Sequence, residues 1–192
     1  FTSCMPILTK VVILGVSQVG KTSIILKKKQ NICIEMPPTL GATFTELTVN
    51  ISGTDVHLDV WDTAGQERFA QVTNSYFRNA FSIIIAFDLT QPFTFERAIE
   101  FINQVKNINP EAFIILAANK SDLTNHRQIS KEQVEDAERC YGVECIECSA
   151  KTGEGIDDLF DKVALFMKEL NEKQKPEKSV KIDLQKRNQG CC

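Results

Sequence analysis

Eight residues early in the chain, Gly15-Val16-Ser17-Gln18-Val19-Gly20-Lys21-Thr22, carry the spacing G-x-x-x-x-G-K-T. Glycines at those positions let the backbone curl so that successive N–H groups converge on phosphate oxygens. Lys21 then reaches the outer phosphates, and the Thr22 hydroxyl is placed to bind Mg²⁺. A chance glycine-rich turn is the bland alternative. It is disfavoured because an apolar strand runs directly into the loop and a helical segment, residues 22–29, leaves it with its N-terminus toward the anion. Gly15, Ser17, Gln18, Val19, Gly20, Lys21, Thr22 and Ser23 form the candidate phosphate-binding set.

A phosphate loop does not choose a base; Asn119-Lys120-Ser121-Asp122 does. A carboxylate at Asp122 can accept two hydrogen bonds from guanine N1 and N2, where adenine lacks the matching donors. Asn119 can satisfy the other edge, and the Lys120 stem can cover the ring face. Taken alone, N-K-x-D is ordinary loop composition. Its position after a buried strand, downstream of a phosphate loop, is what makes it informative. Ser149-Ala150-Lys151 follows the next strand, and the Ala150 N–H is placed to meet guanine O6. Asp62-Thr63-Ala64-Gly65-Gln66-Glu67 closes the set. Asp62 suits a water-mediated Mg²⁺ contact, the Gly65 N–H suits a γ-phosphate oxygen, and Gln66 can orient an attacking water.

These loops need a scaffold that brings them together. Lys10–Leu14, Ser82–Asp88 and residues 112–118 are short apolar runs that read as strands buried on both faces. Residues 45–52 and 55–61 alternate around Gly53-Thr54 and predict a half-exposed hairpin. Ile156, Leu159, Phe160, Val163, Phe166, Met167 and Leu170 recur at helical spacing, as do Phe95, Ala98, Ile99, Ile102 and Val105. Ser130 with Gln133 forms a capping-box pattern that opens a third helix. Strands alternating with helices predict an α/β fold whose mainly parallel sheet is covered on both faces, with ligands beyond the carboxyl ends of the strands.

Composition narrows the rest. The chain has 192 residues and a net charge of −3, which offers no footprint for nucleic acid. That charge is uneven: residues 1–172 carry −7 and residues 173–192 carry +4. The reading is a short extension (residues 1–7), an acidic domain (8–172) and a flexible basic tail (173–192). No run approaches the length of a membrane-spanning helix, and the first residues lack the pattern of a signal peptide. A soluble, intracellular, single-domain protein is expected. Of its seven cysteines, Cys145 and Cys148 form a C-x-x-C with no second ligand pair, so a strand carrying two buried thiols is preferred to a metal or redox site.

In this order the motifs resemble the Ras superfamily of small GTPases. The stretch Trp61-Asp62-Thr63-Ala64-Gly65-Gln66-Glu67-Arg68-Phe69 resembles the Rab family in particular. So do Leu40-Gly41-Ala42-Thr43-Phe44, Tyr76-Phe77-Arg78-Asn79-Ala80 and the pair Cys191-Cys192. The resemblance implies a six-stranded P-loop G domain, a monomer that binds GTP or GDP with Mg²⁺, hydrolyses GTP slowly and recruits effectors when loaded. It makes Thr39 a switch residue closing on Mg²⁺ and the γ-phosphate, and Phe44, Trp61 and Tyr76 an effector-binding triad. It implies switches at residues 32–44 and 62–76, and two geranylgeranyl chains on Cys191 and Cys192, which anchor far better than one. No arginine stands where an internal finger would be, so an activating protein is expected to supply it; in Ras such a residue raises the rate about 10⁵-fold. An exchange factor, a GDP-dissociation inhibitor and a prenylation escort complete the implied partners. The implied location is the cytoplasmic face of an endomembrane, with a cytosolic pool; residues 40–44 slightly resemble the early-endosomal branch.

Some residues depart from the family pattern. Gln18 stands where a small residue is usual, Asn79 replaces a glycine and Leu40 an isoleucine. Between Thr22 and Thr39 the chain is one residue short. Asn31-Ile32-Cys33-Ile34-Glu35 lacks the aromatic that usually covers guanine, with Cys33 near its place. Losing that ring predicts roughly 1–2 kcal/mol weaker binding. Two rivals follow: a guanine-nucleotide-binding pseudo-GTPase scaffold with weak or no hydrolysis, and an adenine-nucleotide enzyme, which Asn119 and Asp122 oppose.

Overall fold

The computed structural model describes residues 9–32, 43–63 and 77–173. Six strands form one sheet: β1 (Lys10–Leu14), β2 (Thr43–Ile51), β3 (Thr54–Asp62), β4 (Ser82–Asp88), β5 (Phe113–Asn119) and β6 (Glu144–Glu147). Their order is β2-β3-β1-β4-β5-β6. Among the described residues only the β2–β3 hairpin is antiparallel, and the other pairings are parallel. Among the described residues the helices are α1 (Lys21–Gln30), α2 (Pro92–Ile108), α3 (Lys131–Tyr141) and α4 (Ile156–Lys173), with one 3₁₀ turn at Thr124–His126.

Strand periodicity divides the core into two layers. Val11, Ile13, Ile84, Ala86, Ile115 and Ala117 face one side, where they join Ile24 of α1 and Leu159, Phe160, Val163 and Met167 of α4. Val12, Leu14, Ile83, Ile85, Leu116 and Ala118 face the other, with Ala98, Ile102 and Val105 of α2 and Val134 of α3. Successive side chains of a strand point to opposite faces, so runs such as Ile83-Ile84-Ile85 must be apolar throughout to feed both layers.

The predicted strands and helices are present, with small shifts. β5 starts and ends one residue later than read, at Phe113 and Asn119. The hairpin turn is Ser52-Gly53, not Gly53-Thr54: Ile51 pairs with Thr54, and both turn residues have positive φ (51° and 79°). That is the geometry of a tight two-residue turn matching strand twist, with Asn50 Oδ1 accepting the Gly53 N–H at 3.1 Å. The capping box at α3 forms as read: Gln133 N–H donates to Ser130 Oγ at 3.1 Å, and Ser130 N–H donates to Gln133 Oε1 at 2.9 Å. The segments 33–42, 64–76 and 174–192 lie outside the described residues, so the tail reading is not addressed by the fold.

Because Ile84 is fully buried at the centre of the sheet, Ile84→Ala is expected to cost about 3–4 kcal/mol of stability. Chemical denaturation of both proteins at one pH checks the value; a loss under 1 kcal/mol would mean that the layer is loosely packed.

Candidate functional site

Five parallel strands end on the same side of the sheet, and the chemistry collects there. β1 runs into Gly15, where φ is +145° and a Cβ would lie 2.4 Å from the Ala86 carbonyl oxygen. The loop ends at Gly20, with φ +94°, directly before α1. No side chain caps this helix, its first turn holds no acidic residue, and Lys27, Lys28 and Lys29 occupy its last turn. Its amino end thus presents unsatisfied N–H groups and a positive dipole end to the loop.

Lys21 is buried, and its Nζ donates to the carbonyl oxygens of Gly15 (2.9 Å) and Val16 (3.0 Å). Burial lowers the ammonium from 10.5 to about 8, while the Asp62 charge partly restores it. Asp62 ends β3; its Oδ2 accepts a hydrogen bond from Thr22 Oγ1 at 2.5 Å. Burial raises the Asp62 pKa, opposed by that hydrogen bond and by Lys21. Asp62 Oδ1 is buried with no hydrogen-bond partner among the described residues. An orphaned carboxylate oxygen beside a threonine hydroxyl is a hard donor set, and it fits Mg²⁺. Thr63 Oγ1 donates to the Ile13 carbonyl at 2.8 Å and locks the end of β3 to β1.

The second half of the site follows β5 and β6. Asn119 is 2% exposed. Its Nδ2 donates to the Val19 carbonyl of the phosphate loop at 2.7 Å, and its Oδ1 accepts the Ala150 N–H at 3.1 Å. The Ala150 N–H, read from the sequence as a donor to guanine O6, is therefore engaged with Asn119. Asn119 ties the loops together rather than simply lining a pocket. Ser149 Oγ donates to Asp122 Oδ1 at 2.6 Å, and Lys151 Nζ lies 3.8 Å from Asp122 Oδ2. These contacts hold the carboxylate in one orientation. Lys120 adopts φ 66° and places its Nζ 2.6 Å from Asp88 Oδ2.

Thus two groups of loops, one following β1 and β3 and one following β5 and β6, are joined through Asn119. A family model described as Ras family matches residues 10–169. The chain belongs to the Ras family. It is 33% identical to the Ras-related protein RabC of Dictyostelium discoideum, over 97% of this chain and 98% of that protein. It is 33% identical to the Ras-related protein Rab-37 of Homo sapiens, over 95% of this chain and 85% of the relative. It is 39% identical to the Ras-related protein Rab-19 of Rattus norvegicus, over 85% and 75%. It is a Rab-like small GTPase, a GTP/GDP switch of the kind that regulates vesicle-mediated membrane traffic. These relatives do not support the pseudo-GTPase reading.

Other residues of this Rab-like GTPase are also placed. Phe44 and Trp61 are register partners on β2 and β3, with ring centroids 5.4 Å apart at 55°. Phe44 is 45% exposed, and Lys10 Nζ lies 5.7 Å from the Trp61 ring. Ser17 and Gln18 are exposed, and Gln18 holds φ 68°, unusual for a residue with a side chain. Thr39, Gly65, Gln66, Tyr76, Cys33, Cys191 and Cys192 lie outside the described residues. Cys148 is buried just past β6, not within it, and Cys145 is only partly buried. Burial pushes the Cys148 thiol up to about 12 and raises Cys145 as well. Both remain protonated at neutral pH, which leaves them poor nucleophiles.

Two contacts escaped the sequence. One is Lys120 with Asp88; an aspartate closing the apolar run Ile83–Phe87 was the available signal. The other is a bidentate pair between Arg127 and Glu147, both N···O distances 2.8 Å, with Arg127 Nε donating to the Ile129 carbonyl at 2.6 Å. It fixes the loop after Asp122 against β6, and no local pattern announces it.

The lowered Lys21 pKa has a sign that can be checked in nucleotide-free protein. Between about 8 and 10.5 the unfolded chain keeps its proton while the folded one releases it. Stability from this group therefore rises with pH across that window, by something on the order of 3 kcal/mol. Denaturation midpoints from pH 8 to 10 are expected to climb relative to Lys21→Met, which lacks the titration; parallel curves would remove the claim.

Proposed function

We infer that this GTPase reads guanine with Asp122, Asn119, Lys120 and the Ser149-Ala150-Lys151 loop, and holds the phosphates with residues 15–23. The observation that carries this is the Asn119 bridge, 2.7 Å to Val19 and 3.1 Å to Ala150, which makes a phosphate cradle and a base site one unit. In that unit the Asp122 carboxylate accepts from guanine N1 and N2, and Ser149 keeps it turned to do so. Lys21 exchanges its two carbonyl partners for phosphate oxygens, and the anion favours the charged form that burial disfavours.

Thr22, with Asp62 acting through water and Thr39, would hold Mg²⁺, which would supply charge neutralisation when bound. Gln66 orients the water that attacks the γ-phosphate, and the Gly65 N–H meets a γ-phosphate oxygen. The water's oxygen forms the new bond to phosphorus as the bond to the β-phosphate oxygen breaks, leaving GDP and phosphate. An activating protein supplies the arginine, since none stands at the position of an internal finger.

Beyond the nucleotide, the exposed Phe44 and its partner Trp61 are proposed, with Tyr76, as an effector surface. Cys191 and Cys192 are the proposed acceptors of geranylgeranyl groups, with an escort, an exchange factor and a dissociation inhibitor as partners. The proposed site of action is the cytoplasmic face of an endomembrane. The endosomal reading rests on residues 40–44, of which only Thr43 and Phe44 are described.

Protein purified in Mg²⁺ buffer and then denatured is expected to release near-stoichiometric GDP or GTP on chromatography. Asp122→Asn is expected to lose guanine preference by at least tenfold in competition with xanthine nucleotide, since it removes a charged acceptor worth about 1.5–3 kcal/mol. Retained guanine preference in that variant would overturn the base assignment. Single-turnover hydrolysis should fall at least tenfold in Gln66→Leu; an unchanged rate would remove Gln66 from the mechanism.

A further inference from the structure

The Lys120 ammonium is paired with a carboxylate from a different strand. Asp88 closes β4, and its register partner on β5 is Asn119, the residue before Lys120. Asp88 is 1% exposed, whereas the Lys120 side chain is 30% exposed. Asp88 Oδ1 accepts the Thr90 N–H at 2.8 Å and the Thr90 hydroxyl at 2.7 Å, which leaves Oδ2 to Lys120 Nζ at 2.6 Å. The backbone beneath is held too: Asp88 N–H donates to Thr94 Oγ1 at 2.9 Å, and Leu89 N–H donates to the Asn119 carbonyl at 3.0 Å. The carboxylate is thus fixed on a rigid strand–helix junction before it meets the lysine.

We propose that Asp88 is a positioning residue for nucleotide binding: it clamps Lys120 by its ammonium so that the lysine stem stays laid against the guanine ring. The proposal deepens the base-site reading above and rests on it. Lysine is long and flexible, and an untethered stem is a poor wall for a planar ligand. A buried carboxylate is costly unless paired, so the ion pair is a device for orientation more than for stability. In this chain the device carries more weight than a tether ordinarily would. Residues 31–35 offer no aromatic side chain for the ring, so the stem is the apolar cover that the base loop itself supplies.

The test is GDP release from full-length protein, followed by chasing a fluorescent GDP analogue with excess unlabelled GDP. Asp88→Asn keeps an Oδ1 acceptor for Thr90 but replaces the anionic oxygen with an amide, and is expected to speed release roughly tenfold. Lys120→Met is expected to speed release as well, and Asp88→Asn added to it should change nothing further, since both act through one stem. The ratio of IDP to GDP release rates, which reports Asp122 at the exocyclic amine, should not move in Asp88→Asn. Equal acceleration by Asp88→Asn in both backgrounds, or a shifted IDP-to-GDP ratio, would overturn the proposal and make Asp88 a general support of the loop. Asp88→Asn protein that releases GDP at the wild-type rate would overturn it too. If wild-type protein retains no GDP, the base-site reading fails, and this proposal falls with it.

Discussion

One buried amide holds the site together. Asn119 lies 100 residues from Val19 in the chain, yet its side chain reaches the carbonyl of one loop and the amide N–H of another. A hydrogen-bonded side chain at 2% exposure has little freedom to swing, so the three loops share one frame of reference. Gly20 shows how close that frame is drawn, because a Cβ there would sit 2.4 Å from Asn119 Nδ2. The position excludes every side chain for a reason of contact as well as of backbone angle. The loop after β1 and the loop after β6 are therefore matched to one another through this one amide.

Around that frame, two buried charged side chains carry an electrostatic cost. Lys21 and Asp62 are both buried, and burial moves each toward its neutral form. Their mutual attraction offsets the penalty only in part, and Asp62 Oδ1 has no hydrogen bond among the described residues. In the proposed function an anion would complete Lys21 and a cation would complete Asp62. For these two side chains, binding energy would come from satisfying groups already in place, which is the physical meaning of preorganisation.

The strands that build the sheet were legible because burial on both faces demands unbroken apolar runs, as in Lys10–Leu14 and Ser82–Asp88. Helix α3 was legible through its cap, a local device written within four residues. The site motifs were legible because phosphate and base chemistry require particular residue types at fixed spacing. What stayed hidden was set by tertiary contact. Ser52 takes positive φ in a turn where Gly53 drew the eye, and Gln18 does so in a loop whose path is fixed by its neighbours. Lys120 with Asp88, and Arg127 with Glu147, join residues that only the sheet brings near. The engagement of Ala150 with Asn119 belongs to the same class, since a donor can be read from sequence but its partner cannot.

The layer of core that contains α1 has a consequence for how the chain is made. Ile24 and Ile25 pack in one cluster with Leu159, Phe160, Val163 and Met167, and Lys28 is ion-paired with Asp157 at 2.6 Å. Helix α1 is translated early and α4 last, so the ribosome releases one wall of this layer well before its counterpart exists. At ordinary elongation speeds the interval is roughly ten seconds. During it, the β1, β2 and β3 side chains of that face have no α4 to cover them, and the nascent chain displays a sticky surface that the finished domain never shows. The face that α4 covers therefore stays exposed to solvent until residues 156–173 have been made and have packed onto it.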